Sequence, residues 1–160
     1  MRKKTTAQPT TADVFISFGG NKDDTRQYIA AAITRLGKLG AVEKISPIFE
    51  TQPEGFKDQP NFLNGALLLK TPLPPEKLLR ELKKIERELG RTPTFPNGPR
   101  EIDLDIIFYN DIILKNADLQ IPHPRMSERI FVLLPMSHIA PDFKHPATGK
   151  TIIQMLKKFA

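Results

Sequence analysis

The chain has 160 residues with 39% hydrophobic and 26% charged content, which is enough for one domain with a hydrophobic core. It contains no cysteine, so disulfides and thiolate metal sites are excluded and a reducing, cytoplasmic setting is predicted. The net charge of +6 indicates an anionic partner, and the lack of an apolar run of roughly 18 residues predicts no membrane segment.

The start of the chain, residues 1–12, is a basic segment rich in Thr and Pro. No apolar stretch follows its charges, so it does not have the pattern of a secretory signal. Its composition buries little apolar surface, and we predict a flexible N-terminal arm at 1–12. Residues 13–160 contain no linker and no internal repeat, and we predict that they form a single domain.

The first half of this domain predicts a strand, a helix and a second strand. The apolar, β-prone run at 14–19 ends at a Gly-Gly-Asn turn, and Asp23 or Asp24 can cap the helix that follows. Apolar residues then recur every three to four positions until the next glycines. Residues 42–51 predict the next strand, in which Pro47 indicates an edge position or a bulge.

The second half predicts two further strands around a second helix. Residues 62–71 have the composition of a strand, and Pro75 opens a helix with one apolar stripe that Gly90 is placed to end. The last strand is predicted at 102–109. The segments before both strands are rich in Pro, Gly and Asn, and they predict long loops.

The resulting order, β-α-β-β-α-β, predicts an α+β fold of the ferredoxin-like type. Such a sandwich places two helices on one face of an antiparallel sheet. The remaining C-terminal residues predict helical additions, with a short helix near 128–138 and a last helix at 151–159.

Two aspartates interrupt the apolar strand at 102–109. Asp103 and Asp105 stand two positions apart, so their side chains point to the same face, about 5–7 Å from each other. At an effective dielectric constant of about 20 the charges repel by about 3 kcal/mol, which protonation, a nearby arginine or a divalent cation can offset. Oxygen ligands alone suit Mg²⁺. The competing interpretation is a strand end at which both acids face solvent.

Four groups that can be cationic lie near this acid pair in the sequence. Arg91 and Arg100 belong to the preceding loop, and His123 and Arg129 follow the strand. Together they fit a polyphosphate held by a metal ion and by arginine side chains. Each of them alone would be interpreted as a surface charge.

Several motifs, in the same order along the chain, resemble the 6-hydroxymethyl-7,8-dihydropterin pyrophosphokinase family of folate biosynthesis. The resemblance extends over residues 14–156. The matching stretches are FGGN at 18–21, ETQPEGFKDQPNFLN at 50–64, IERELGR at 85–91, GPREIDLDI at 98–106, IPHPRMSERIFVLLP at 121–135 and IAP at 139–141.

The resemblance implies that ATP donates its β,γ-diphosphoryl group to the hydroxymethyl group of the dihydropterin and that AMP leaves. It implies that catalytic Asp103 and Asp105 hold two Mg²⁺ ions. One of these acids or a metal-bound water can accept the hydroxyl proton, and both alternatives stay open. Nucleotide contacts are implied for Arg91, Arg100, His123, Arg129, Glu86 and Ile106, of which the first four are also implied to be catalytic. Ile106 fits core packing equally well.

The resemblance also implies a slot for the flat pterin ring. Phe62 and Phe131 would stack on the ring, and the Asn64 amide offers its edge both a donor and an acceptor. Backbone groups around Thr51 and Glu54 would complete the substrate contacts.

The resemblance is weakest in the predicted loop 91–99. The family often carries further arginines and a tryptophan just before the Gly-Pro-Arg motif, where this chain has Pro93, Pro96 and Asn97. Phe95 can partly replace the aromatic residue. Because proline restricts the backbone, we expect this loop to close over ATP differently.

Two other functions are compatible with parts of this sequence. A ferredoxin-like RNA-binding module would explain the net charge, but it would lack the usual aromatic-rich strands and would not explain the acids. A metal-dependent phosphodiesterase could use the same carboxylates, and it would release AMP without a pterin acceptor. We predict instead a monomeric enzyme whose partners are ATP and the dihydropterin, without nucleic acid or membrane.

Overall fold

The computed structural model describes residues 10–91 and 94–160. Residues 1–9 of the predicted arm and Pro93 of the predicted loop lie outside the described residues. The division into an arm and one domain therefore stays a prediction, although the first strand begins at Ala12, inside the predicted arm.

The helices and strands follow the predicted order. They are β1 (Ala12–Gly20), α1 (Thr25–Leu36), β2 (Ala41–Ile45), β3 (Phe49–Thr51), β4 (Phe62–Thr71), α2 (Pro75–Glu88), β5 (Asp103–Tyr109), β6 (Leu114–Lys115), β7 (Gln120–Ile121), a 3-10 helix (Met126–Glu128), α3 (Ile130–Ile139) and α4 (Ile152–Lys157). The short strands β6 and β7 pair with each other and were not predicted.

The predicted strand at 42–51 was wrong as a single element, because it is divided into β2 and β3. Both pieces pair with β4, and they lie at the edge of the sheet. Between them, the Ser46 backbone N–H donates to the Ala66 carbonyl, and the Ala66 N–H donates to the Ser46 hydroxyl. Pro47 has no N–H to donate, so the regular ladder stops there. The predicted edge position of Pro47 is confirmed.

The main sheet is antiparallel and has β1 at its centre. β4 pairs with one side of β1 and β5 pairs with the other. With β2 and β3 outside β4, this is the strand order of the predicted ferredoxin-like sandwich. The fold class predicted from the sequence is therefore confirmed.

The two faces of the sheet are covered by different helices. One face packs against α1 and α2 through residues such as Ile16, Leu36 and Leu82. The other face packs against α3 and α4 through Phe108 and Leu133. The helical additions were predicted, but their position on the second face was not. Within the part of the chain that is described, no helix is both long and apolar enough to cross a bilayer.

Candidate active site

The two aspartates of β5 lie on the face of the sheet opposite the α1 and α2 helices. Leu104 and Ile106 alternate with them and are buried in the core beneath those helices. Asp103, Asp105 and Ile107 line a cavity on the other face. The predicted common orientation of the acids is confirmed. The side chain of Ile106 is not brought to the cavity, so its implied nucleotide contact stays a prediction without structural support.

The cavity has a volume of about 90 Å³ and is open to solvent. Most of the predicted site residues line it, namely Thr51, Glu54, Phe62, Asn64, Arg100, Asp103, Asp105, His123, Arg129 and Phe131. Ser17, Gln52 and Asn97 line it as well and were not predicted. The signal in the sequence that could have indicated Ser17 is its polar side chain within the apolar run at 14–19. In the structure Ser17 pairs with Asp105 across the sheet.

The two carboxylates are stabilised in different ways. Burial, and then the charge of Asp103, raise the pKa of Asp105 from 3.8 to about 7. Asp103 instead lies beside two guanidinium groups, with Arg91 Nη1 at 3.3 Å and Arg100 Nη1 at 3.4 Å from its oxygens. The pair is therefore accommodated by partial protonation and by arginine, which are two of the three offsets expected from the sequence.

Arg91 reaches Asp103 because of the way α2 ends. Gly90 has φ of 93°, and its N–H donates to the Arg87 carbonyl at 3.0 Å. The Arg91 N–H then donates to the Glu86 carbonyl at 3.0 Å. These two bonds form a Schellman motif, which turns the chain back toward the sheet. The predicted role of Gly90 as the end of this helix is confirmed.

Glu86 connects α2 to β5 from a buried position. One carboxylate oxygen accepts a hydrogen bond from the Leu104 N–H at 2.8 Å, and the other accepts from Arg91 Nη1 at 2.9 Å. Glu86 does not line the cavity, so its implied nucleotide contact stays a prediction. The contacts of Glu86 hold the β5 backbone and orient the Arg91 guanidinium beside Asp103.

Arg100 is held in place by Asn21, a buried residue that the sequence analysis did not assign. The Asn21 N–H donates to the Arg100 carbonyl, and the Arg100 N–H donates to Asn21 Oδ1, both at 3.0 Å. Asn21 Nδ2 also donates to Gln59 Oε1 at 2.8 Å and to the Pro60 carbonyl at 2.9 Å. The side-chain amide of Asn21 therefore joins the turn after β1 to the loop before β4 and to the loop before β5. The pattern that could have indicated it is the polar end of the FGGN motif.

His123 enters the cavity as a neutral imidazole. Its Nδ1 accepts a hydrogen bond from the Arg125 N–H at 3.2 Å, which assigns the ring proton to Nε2. Burial, and then the charge of Arg129, lower the pKa of His123 from 6.5 to about 4. The sequence indicated a group that can be cationic, but at pH 7 the protein without ligands presents an N–H donor there.

Arg129 lies at the start of α3, beside the predicted ring slot. Its guanidinium is 5.4 Å from the ring centroid of Phe131 and its Nη2 is 3.1 Å from Glu54 Oε1. Arg125 Nη2 is 3.2 Å from the same oxygen. The Glu54 carboxylate is therefore shared between two arginines, a relationship that the sequence did not predict.

The residues of the predicted pterin slot line the cavity. Phe62 begins β4 and Phe131 belongs to α3, and both rings are half-buried in the cavity lining. Asn64 Nδ2 donates to Thr51 Oγ1 at 2.5 Å. A Cβ atom at Gly19 would lie 2.5 Å from Asn64 Oδ1. Any larger residue at this position of β1 would therefore clash with the Asn64 amide.

The two long loops contact each other beside the cavity. The exposed rings of Phe56 and Phe95 meet edge to face with centroids 5.0 Å apart. Gln59 Nε2 donates to the Asn97 carbonyl at 2.6 Å. Phe95 therefore has an aromatic partner in the loop after β3, and its predicted replacement of the family tryptophan stays a prediction.

The carboxylate pair fits a magnesium site by the chemistry of its donors. Mg²⁺ is usually bound through one or two carboxylates, with water and substrate phosphates as its other ligands. Residues 10–91 and 94–160 contain no group of three or more His, Asp or Glu side chains arranged to hold a metal. Asp103 and Asp105 would therefore leave most of the coordination shell to water and to a phosphate-bearing substrate.

Comparisons with known proteins identify the family. The family model for 7,8-dihydro-6-hydroxymethylpterin-pyrophosphokinase matches residues 15–141. The 2-amino-4-hydroxy-6-hydroxymethyldihydropteridine pyrophosphokinase of Aquifex aeolicus is 41% identical, with 88% of each chain covered. The Bacillus subtilis protein of the same name is 43% identical, with 84% of this chain and 82% of the relative covered.

Other relatives are much longer than this chain. The "Folic acid synthesis protein FOL1" of Dictyostelium discoideum is 46% identical over 89% of this chain, which spans only 22% of that protein. A crystal structure of Plasmodium falciparum HPPK-DHPS has a TM-score of 0.78 at 18% identity and covers 96% of this chain, which spans 45% of that chain. This structural similarity supports the fold, and the family match extends over most of the cavity residues. The chain therefore belongs to the 7,8-dihydro-6-hydroxymethylpterin-pyrophosphokinase family.

Proposed function

We propose that this protein is an ATP- and magnesium-dependent pyrophosphokinase of folate biosynthesis. The hydroxymethyl oxygen of 6-hydroxymethyl-7,8-dihydropterin forms a bond to the β-phosphorus of ATP, and the bond between that phosphorus and the α,β-bridging oxygen breaks. The dihydropterin diphosphate and AMP are the products. The observation that carries this proposal is that one cavity combines paired carboxylates, cationic groups and two aromatic rings.

On the nucleotide side, the cavity residues supply charge and hydrogen-bond donors. Asp103 and Asp105 would hold Mg²⁺, which when bound neutralises phosphate charge and favours the in-line displacement. Arg100 and Arg129 can donate paired hydrogen bonds to phosphate oxygens. His123 can donate from Nε2 without adding a charge.

Arg91 has a different position from the other predicted phosphate ligands. It does not line the cavity, and its guanidinium lies between Glu86 and Asp103. In this position it acts on the site through Asp103. A direct contact with the nucleotide requires that Arg91 leave this pair when the substrate binds.

On the pterin side, the cavity provides a flat binding site with a polar edge. Phe62 and Phe131 would hold the ring from its two faces, and the Asn64 amide and groups at Thr51 would bind its donor and acceptor edge. Such an arrangement orients the hydroxymethyl group toward the phosphates. Orientation of two substrates is a major source of rate in phosphoryl transfer, where the protein forms no covalent intermediate.

The decisive assay supplies the protein with ATP, Mg²⁺ and the reduced pterin alcohol and measures AMP and diphosphorylated pterin. We expect both products in equal amounts and none of either without the pterin. AMP that forms without the pterin would instead support the phosphodiesterase alternative. We further propose a monomer that acts in the cytoplasm on small molecules alone, and RNA binding that persists without magnesium would contradict this.

A further inference from the structure

Glu54 lines the cavity and is shared between two arginine side chains. Its Oε1 atom is 3.1 Å from Arg129 Nη2 and 3.2 Å from Arg125 Nη2. The Glu54 side chain is 35% exposed, and Arg129 is 18% exposed. An ion pair of this kind is hydrated on one side, so another anion can compete for it without first unfolding the loop.

Arg129 has spare hydrogen-bonding capacity in this arrangement. Its Nε atom is buried and has no hydrogen-bond partner among the described residues. A guanidinium binds an oxyanion best through two parallel N–H groups, but here Glu54 occupies Nη2. The arginine is therefore only partly satisfied by Glu54, and a larger oxyanion could engage it more fully.

The negative charges inside the cavity disfavour the presence of the Glu54 carboxylate and a triphosphate beside Arg129 at the same time. Asp103, Asp105 and Glu54 all line it. A triphosphate placed near Arg129 would bring several more negative charges next to Glu54, and the two anions would repel each other. The favourable outcome is an exchange, in which the phosphate takes the guanidinium and the carboxylate turns to solvent.

We propose that Glu54 is a displaceable counter-anion of the polyphosphate site, which holds Arg125 and Arg129 until a polyphosphate replaces it. The proposal rests on the proposed function for the identity of the physiological anion, the triphosphate of ATP. Glu54 thereby weakens the binding of any anion that must replace it on the two arginines. Release of Glu54 also frees the loop that carries Phe56 and Gln59. These two residues contact Phe95 and the Asn97 carbonyl in the loop before β5.

The test measures binding of inorganic tripolyphosphate by calorimetry, without magnesium and without pterin. Glu54→Gln removes the charge, and we expect binding about 10-fold tighter than in the unaltered protein. Glu54→Asp keeps the charge and should stay within about threefold. The matched control is Asp58→Asn, which removes an exposed acid from the same loop and should change affinity by less than about twofold.

The direction of the effect separates displacement from a structural role. A variant that merely disturbed the loop would bind the anion more weakly or equally, and either result for Glu54→Gln would overturn the proposal.

A measurement on the unaltered protein does not depend on how the variants fold. With ¹⁵N-labelled arginine, the side-chain NMR signals of both Arg125 and Arg129 should move on addition of tripolyphosphate. A stationary Arg125 signal would show that Glu54 stays in place. Failure of the turnover assay would reject the proposed function but would leave these results valid, because tripolyphosphate is neither a nucleotide nor a pterin.

Discussion

Asn21 and Arg100 exchange two hydrogen bonds of 3.0 Å, one from each backbone N–H. Asn21 is buried, and its amide also donates to Gln59 and to the Pro60 carbonyl. The position of an arginine that faces the carboxylate pair therefore depends on a residue 79 positions earlier in the chain.

We predict that Asn21→Ala destabilises the protein by about 2–4 kcal/mol, because it leaves several buried groups without partners. Turnover should also fall at least about 10-fold, since Arg100 loses its backbone support. Urea unfolding and steady-state kinetics measure the two effects. Asn61→Ala is the control, because Asn61 is exposed and donates a hydrogen bond to the exposed Glu50, and it should cost less than about 1 kcal/mol. Equal effects of the two substitutions would contradict this role.

Replacement of the carboxylates should separate activity from stability. Asp103→Asn and Asp105→Asn should each lower turnover by about 100-fold or more, because they weaken the metal site. Asp105→Asn should nevertheless leave the ligand-free protein equally stable or more stable at pH 8, since an ionised Asp105 is disfavoured in the fold. Steady-state kinetics measures the change in turnover, and thermal melting measures the change in stability. Asp142→Asn, an exposed control, should change neither, and near-normal turnover in either site variant would refute the assignment.

The raised pKa of Asp105 predicts a pH dependence with a defined sign. The folded pKa of about 7 exceeds the ordinary value of 3.8, so this group's contribution to stability is full below pH 3.8 and is lost as the pH rises through 7. A divalent ion must displace the proton, so its affinity should rise between pH 5.5 and 7.5, by up to about 10-fold per unit. Calorimetry in buffers of different ionisation enthalpy should detect the released proton. A pH-independent affinity, with no proton release, is incompatible with the assignment.

The ring slot predicts a difference between the two substrates. Phe131→Ala should weaken pterin binding by about 10-fold or more, because it removes one stacked face. It should weaken ATP binding much less. Fluorescence titration of the pterin and calorimetry with an ATP analogue measure the two affinities. Phe159→Ala removes an exposed ring from the end of the chain and should affect neither affinity, whereas equal losses for both substrates in Phe131→Ala would argue against the slot.

Local patterns in the sequence were sufficient for most of the fold and for the centre of the site. The two-residue period of β5 placed Asp103 and Asp105 on one face, and the apolar stripe of α2 with Gly90 at its end gave that helix its limits. Both features depend on neighbours within a few positions. The division of the strand at 42–51 was missed because it depends on a bond between Ser46 and Ala66 in another strand.

The missing parts of the site are contacts between distant segments. The nucleotide contacts of Glu86 and Arg91 stay predictions, whereas the ion pairs of Arg91 with Glu86 and with Asp103 were not predicted. The ion pairs of Glu54 join a loop after β3 to the start of α3. No period or spacing in a single sequence encodes such pairs, since charged residues in loops are compatible with many partners.

The most direct test of the account is a crystal structure with Mg²⁺, a non-hydrolysable ATP analogue and the dihydropterin. The account predicts metal ions bound to oxygens of Asp103 and Asp105, and a pterin ring between Phe62 and Phe131. Metal ions bound elsewhere, with both carboxylates free of metal, would contradict it.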